Sequence, residues 1–332
     1  MELRRHNHPT AGDNSEPVLR PSTPAVCHRS PAVRQHRDLL AGLAQHPVPD
    51  KKFRQPLQPL SRHSAAIYSR LFPESPCPEP HGSLTLYERL TIALTVAQLT
   101  ETGALSDFYA EWLSPLPGPA GTRENNLRLT TITEYTRLLT CSSAATPSPQ
   151  RAGLQQSGLT LADIVTLHQL CGFVGWQAQW ISGVMTLAAD GVTSHYSNPP
   201  LPPYPDLLPG GIREPLARLK VSGPVTARRH LLRDIRTLGQ PSLNAEIIGQ
   251  APAAARAWLI LRALSGPTAD AGHLFTESTA VPPDFRRRTS PLSCRELEAL
   301  KRQDRKADDL LSLLGRIAMN IWDYRLIQLA VV

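Results

Sequence analysis

The stretch Gly158-Leu159-Thr160-Leu161-Ala162-Asp163-Ile164-Val165, running on through Leu167, Leu170, Trp176 and Ile181, decides the fold of this chain. Thr160 and Asp163 stand three residues apart ahead of an apolar run, the spacing at which a hydroxyl and a carboxylate cap each other at a helix start. The run that follows predicts one long helix to about Ala189. A weak copy lies 146 residues later, where Leu300, Asp309, Leu313, Trp322 and Ile327 match Leu154, Asp163, Leu167, Trp176 and Ile181. Leu310, Leu311 and Ile317 are further apolar counterparts. Duplication of this kind predicts two similar helical units packed on one another.

Two other helix starts read in the same way. Thr85-Leu86-Tyr87-Glu88 and Ser293-Cys294-Arg295-Glu296 each place a hydroxyl residue three ahead of a glutamate, the capping-box pattern. After Glu88 come Leu90, Ile92, Ala93, Leu94, Val96, Ala97 and Leu99, apolar nearly all round, as a central helix requires. Gly103 should break or end it. Further helices are expected over 61–72, 105–113, 127–139, 224–238, 243–265 and 293–329, with a Ser/Pro connection at 142–149. Few alternating β-branched runs occur, so the chain is predicted to be all-α. Its organisation reads as a flexible, basic, Pro-rich arm over 1–60, a first helical repeat over 61–196, a Pro-rich linker over 197–211 and a second, degenerate repeat over 212–332.

Composition narrows the function classes. Residues 1–62 hold ten Lys or Arg against five Asp or Glu, which accounts for most of the formal charge of +7. No aromatic interleaving or recognised nucleic-acid module accompanies that leader, so it reads as solvated chain rather than a nucleic-acid arm. Five widely spaced cysteines (Cys27, Cys77, Cys141, Cys171 and Cys294) fit a reducing compartment better than a disulfide framework. The start Met1-Glu2-Leu3-Arg4-Arg5-His6 leads into no apolar stretch, so no secretory signal is read there and the expected location is cytoplasmic. The uncharged run Leu170–Ala189 carries Gln177 and Gln179 near its middle, which favours a buried helix over a membrane span.

Few residues in this frame can carry chemistry. Glu88 heads an apolar helix and could act as a buried base, but its capping role already explains it. His168 and Cys171 are three residues apart and share a helix face, the spacing for a thiolate–imidazole pair. In the second unit Leu314 and Ile317 occupy those two places, which favours a packed interior and a hydrogen-bonded core histidine. Trp176 and Trp322 read as core or interface anchors, Gln177, Gln179 and Trp180 as a polar helix–helix contact, and Asp323-Tyr324-Arg325 as a partly exposed face with intramolecular pairing open to it. No dinucleotide-binding glycine motif, phosphate-binding loop, His-Glu-x-x-His or paired Cys-x-x-Cys is present. No cofactor is expected, and no metal either; His6 and His8 are a weak pair in the leader.

Tyr87-Glu88-Arg89-Leu90 with its apolar helix, Gly158-Leu159-Thr160 through Asp163-Ile164-Val165 to Leu170-Cys171-Gly172-Phe173-Val174, and the terminal Ala318-Met319-Asn320-Ile321-Trp322-Asp323-Tyr324-Arg325-Leu326 together resemble the alkylhydroperoxidase D-like, or carboxymuconolactone decarboxylase, superfamily. The likeness is to its two-repeat bacterial branch and covers about a third of the chain. It implies a helical bundle, a homo-oligomer and a peroxide-reducing oxidoreductase acting on a small-molecule peroxide. Laid onto this chain, the family's dithiol falls at about Thr102 and Leu105, its histidine at Tyr109 and its relay glutamate at Leu90. The whole dithiol apparatus is therefore replaced. Any residual redox chemistry is expected to use Cys171 as thiolate, His168 to polarise it, and Glu88 or Tyr109 to line the same cavity. The alternative is a catalytically inactive, oligomeric helical scaffold or interaction protein.

Overall fold

In the computed structural model the described residues are 60, 64–65, 67–73, 82–141, 148–188, 225–237, 244–264, 290–302 and 307–330. Among them every regular element is a helix and none is a strand. Their order is α1 Leu86–Leu99, α2 Gly103–Leu113, α3 Arg123–Cys141, α4 Ser148–Gln156, α5 Leu161–Ala188, α6 Val225–Arg236, α7 Ala245–Ile248, α8 Pro252–Leu264, α9 Cys294–Lys301 and α10 Ala307–Ala330. The arm over 1–60 and the linker over 197–211 lie outside these residues, apart from Leu60.

The long helix α5 is the axis of the fold. Every residue from Ala162 to Ile181 is buried, five and a half turns with no solvent face, as an element apolar all round must be. Helices α1 and α3 pack on it from the first half of the chain, α8, α9 and α10 from the second. The most extensive contact is with α10. Gly172 lies under Trp322 and Gly183 under Leu314, so residue numbers fall along α10 as they rise along α5 and the two run antiparallel. The helices of both predicted repeats therefore share one core, and all of them belong to the unit His36–Val332. Among the described residues no helix is long and apolar enough to cross a membrane.

Glycine makes the α5–α10 approach possible. A Cβ on Gly172 would lie 2.2 Å from the Trp322 ring, one on Gly175 2.8 Å from Ile321, and one on Gly183 2.6 Å from Leu314. These positions share one side of α5, and the large side chains of α10 fill the space left by their missing Cβ atoms.

Several boundaries differ from the sequence reading, each for a local reason. Gly103 opens α2 rather than ending α1; the break is made by Glu101, whose φ of 53° turns the chain between them. Helix α3 starts four residues sooner than Leu127. The Ser/Pro connection gives way at its end to α4, because Pro149 lies in the first turn, where a missing N–H costs no hydrogen bond. The span 243–265 is two helices, parted at Gly249 and restarted by Pro252. The span 293–329 holds two helices, α9 ending at Lys301 and α10 starting at Ala307.

Candidate functional site

Where α1 begins, Thr85 and Glu88 make the expected box. The Thr85 hydroxyl accepts from the Glu88 amide, and Glu88 Oε2 accepts from the Thr85 amide at 2.8 Å. Its other oxygen, Oε1, accepts from Arg128 Nε of α3 at 2.6 Å. Arg128 also donates to Ser83 Oγ and to the Ser157 carbonyl. Glu88 is thus a cap and a tie at once, with both oxygens engaged.

The α5 cap extends further than its own helix. Asp163 is fully buried and accepts from the Thr160 amide and hydroxyl at 2.9 and 2.8 Å. The same carboxylate accepts from the Ser83 amide at 2.6 Å, the Ser83 hydroxyl at 2.7 Å and the Leu84 amide at 3.0 Å. One side chain therefore fixes the starts of α1 and α5 against each other across 80 residues of sequence.

His168 sits wholly inside the bundle. Its Nδ1 lies 2.7 Å from the Arg325 carbonyl, which can only accept, so Nδ1 carries the proton. Nε2 then accepts from the Tyr135 hydroxyl at 2.8 Å. The ring is neutral with both nitrogens occupied, and burial pushes its pKa from 6.5 down to about 3, with the Arg151 and Arg325 charges acting in the same sense. Cys171, one turn on, has its own surroundings: the hydroxyls of Thr140 and Thr136, with the Arg325 guanidinium nearby. Burial dominates and raises its thiol to about 12, although the Arg325 charge and those hydroxyls act to lower it. The shared helix face foreseen from the spacing thus joins two neutral groups, each bonded elsewhere.

Tyr109 belongs to a different place. Its hydroxyl donates to Gln177 Oε1 at 2.6 Å, and its ring packs on Phe72 and Phe108. Gln177 lies nine residues beyond His168 on α5, about 14 Å along the helix axis. The four candidates therefore occupy three separate locations: Glu88 at the α1–α3 tie, Tyr109 at the α2–α5 seam, and His168 with Cys171 between α3, α5 and α10. Thr102 and Leu105, where the resemblance puts a dithiol, are both buried; the Thr102 hydroxyl lies 3.4 Å from that of Ser182.

The face Asp323-Tyr324-Arg325 needs correction. Asp323 and Arg325 are buried, not partly exposed. Successive side chains of α10 reach opposite neighbours: Asp323 accepts from Trp258 Nε1 at 2.8 Å and pairs with Arg262 of α8. Arg325 donates to the Leu139 and Thr140 carbonyls, closing the C-terminal end of α3, where a cation also complements the helix dipole. Gln169 Oε1 receives Trp322 Nε1 at 2.7 Å, and Gln179 Oε1 receives the Leu292 amide at 2.7 Å. Sequence reading missed the partners of Arg128, Asp163, Arg262 and Arg325. The spacing of Gly172, Gly175 and Gly183 was the one available signal for the close α5–α10 contact.

Burial of His168 has a measurable consequence. Its folded pKa lies below the unfolded one, so as pH falls through about 6.5 the unfolded chain takes a proton that the folded ring refuses. Stability should fall with pH over the window from about 6.5 toward 3, by about 1.4 kcal/mol per unit, or about 2 kcal/mol at pH 5. In urea unfolding at neutral pH and near pH 5, His168→Gln should remove this part of the slope. An identical slope in wild type and variant would mean that the imidazole titrates freely.

Among the described residues no three His, Cys, Asp or Glu side chains gather as metal ligands. Cys27 and Cys77 lie outside the described residues; Cys141 is exposed and Cys171 buried. No protein-family model, no curated protein and no solved structure matches this chain.

Proposed function

We propose that this chain is a helical scaffold that acts through its surfaces, as a homo-oligomer in the cytoplasm, in a bundle of the alkylhydroperoxidase D-like kind that has lost its sulfur chemistry. The observation that carries this reading is the state of Cys171. A peroxide-reducing cysteine must be a thiolate within reach of solvent. Cys171 is buried and held as a neutral thiol at a pKa of about 12, beside a histidine whose two nitrogens are already bonded. The oxidoreductase reading needs His168 to take the Cys171 proton, and the geometry gives that imidazole other work. Glu88 and Tyr109, named for the same cavity, hold helices together at two distant places.

The test is a thiol titration of native protein, followed by peroxide consumption with hydrogen peroxide and with an organic hydroperoxide. Cys171 should stay unmodified until denaturant is added, and turnover should equal the blank in both wild type and Cys171→Ser. A single fast thiol, lost together with peroxide turnover in Cys171→Ser, would restore the enzyme reading.

A further inference from the structure

The positive charge of this chain is gathered in three stretches. Residues 212–236 carry seven Lys or Arg against two Asp or Glu, 1–62 carry ten against five and 286–306 carry eight against three; all other residues hold 10 basic against 18 acidic. The first of these stretches ends in α6, whose sequence Val-Thr-Ala-Arg-Arg-His-Leu-Leu-Arg-Asp-Ile-Arg contains arginine but no lysine. Arg229, Arg233 and Arg236 are spaced four and three apart, so they share one side of the helix. Arg229 is exposed, and the side chains of Arg233 and Arg236 are 68% and 63% exposed. On the opposite side Leu231 and Ile235 are buried, and Leu232 packs against Gly249.

We propose that the arginine face of α6 is a contact for the phosphodiester backbone of nucleic acid. This goes beyond the scaffold reading and rests on α6 alone, so it stands whether or not Cys171 is reactive. A phosphate chain is favoured for two reasons. Guanidinium groups present paired donors that match phosphate oxygens, and here they stand in a row about 10 Å long on a rigid support. The apolar side of α6 is already spent on the core, which leaves nothing to insert into a lipid surface, as a membrane-bound amphipathic helix must. The face holds no Phe, Tyr or Trp for base stacking, so binding is independent of sequence and driven by counterion release. Helix α6 offers its charge fixed in place, because Leu231 and Ile235 on its other side are buried. Two of its arginines meet carboxylates, Arg233 with Asp234 at 3.2 Å and Arg236 with Glu246 at 2.5 Å. Such exposed pairs are weak enough to exchange for phosphate.

The test uses the full chain and a fluorescein-labelled oligothymidylate, followed by anisotropy between about 50 and 200 mM salt, with duplex DNA and polyglutamate as competitors. Wild type should bind in the micromolar range at low salt. The triple variant Arg229→Gln, Arg233→Gln, Arg236→Gln should weaken binding at least about tenfold there and flatten the log–log salt slope by about 2, at about 0.7 per lost phosphate contact. Its helical circular dichroism and thermal midpoint should match wild type, because these side chains are exposed. Freeing the arginines with Asp234→Asn and Glu246→Gln should tighten binding several-fold. Equal binding by wild type and the triple variant would assign the affinity to the other basic stretches and overturn the proposal. So would no binding at low salt, or polyglutamate competing as well as duplex DNA, which would mark an acidic protein as the partner.

Discussion

Gly172→Ala should destabilise this protein by about 3 kcal/mol or more, although helix propensity alone predicts the opposite sign. Replacing glycine by alanine inside a helix ordinarily gains up to about 1 kcal/mol. At position 172 the added Cβ would meet Trp322 at 2.2 Å from Cδ1, 2.7 Å from Cγ and 2.8 Å from Nε1. The indole has no room to retreat. It is fully buried, its Nε1 donates to Gln169 at 2.7 Å, and its ring stands edge-on to Phe173. Relief therefore requires α5 and α10 to separate, and overpacking of a dense interior costs about 1–3 kcal/mol even where some adjustment is possible. Gly153→Ala is the matching control. Its Cβ would meet only Thr131 Cγ2 at 3.9 Å, an ordinary contact, so that variant should be neutral or slightly more stable. Urea unfolding of both, and of Gly172→Ala combined with Trp322→Phe, decides the matter: the smaller ring should recover part of the loss. A Gly172→Ala protein as stable as Gly153→Ala would show that the two helices are not seated as described.

This contact also marks where sequence reading runs out. The three helix starts at Thr85, Thr160 and Ser293 were legible because a capping box is closed within four residues, and each is present. The all-helical class was legible for the same local reason, as was the buried character of Trp176 and Trp322. Breaks at Glu101 and Gly249 were less so, since a helix pattern continues across them and the backbone turn is settled by what packs on either side. The polar interior was the least legible. Asp323 and Arg325 carry charge and so resemble a solvent face, yet each is matched by a partner more than 60 residues away. For the candidate site, the spacing of His168 and Cys171 correctly places them one turn apart. It is silent on Tyr135 and the Arg325 carbonyl, and those two groups decide the protonation state of the ring.

Asp163 is where the local and long-range parts of the fold meet, and Asp163→Ala should cost about 2–4 kcal/mol. Its carboxylate receives five hydrogen bonds, two from Thr160 in its own cap and three from Ser83 and Leu84. A helix cap alone is worth about 1 kcal/mol, so Thr160→Ala should cost about that much. The difference lies chiefly in the buried backbone amide of Leu84, which Asp163→Ala leaves without an acceptor at about 1–3 kcal/mol, whereas the Ser83 amide lies at an exposed residue and can turn to water. Asp163→Asn separates the contribution of volume from that of acceptance. The amide has the same shape but turns an NH2 toward amides and hydroxyls that already donate, so it should lose nearly as much as alanine. Hydrogen exchange supplies the local readout. The Ser83 and Leu84 amides should lose protection in Asp163→Ala and keep it in Thr160→Ala, while amides in the middle of α5 track global stability in both. If Asp163→Asn proved harmless, the carboxylate would be filling space rather than accepting. The joint between the starts of α1 and α5 would then have to come from the Glu88–Arg128 pair, which reaches Ser83 from the other side.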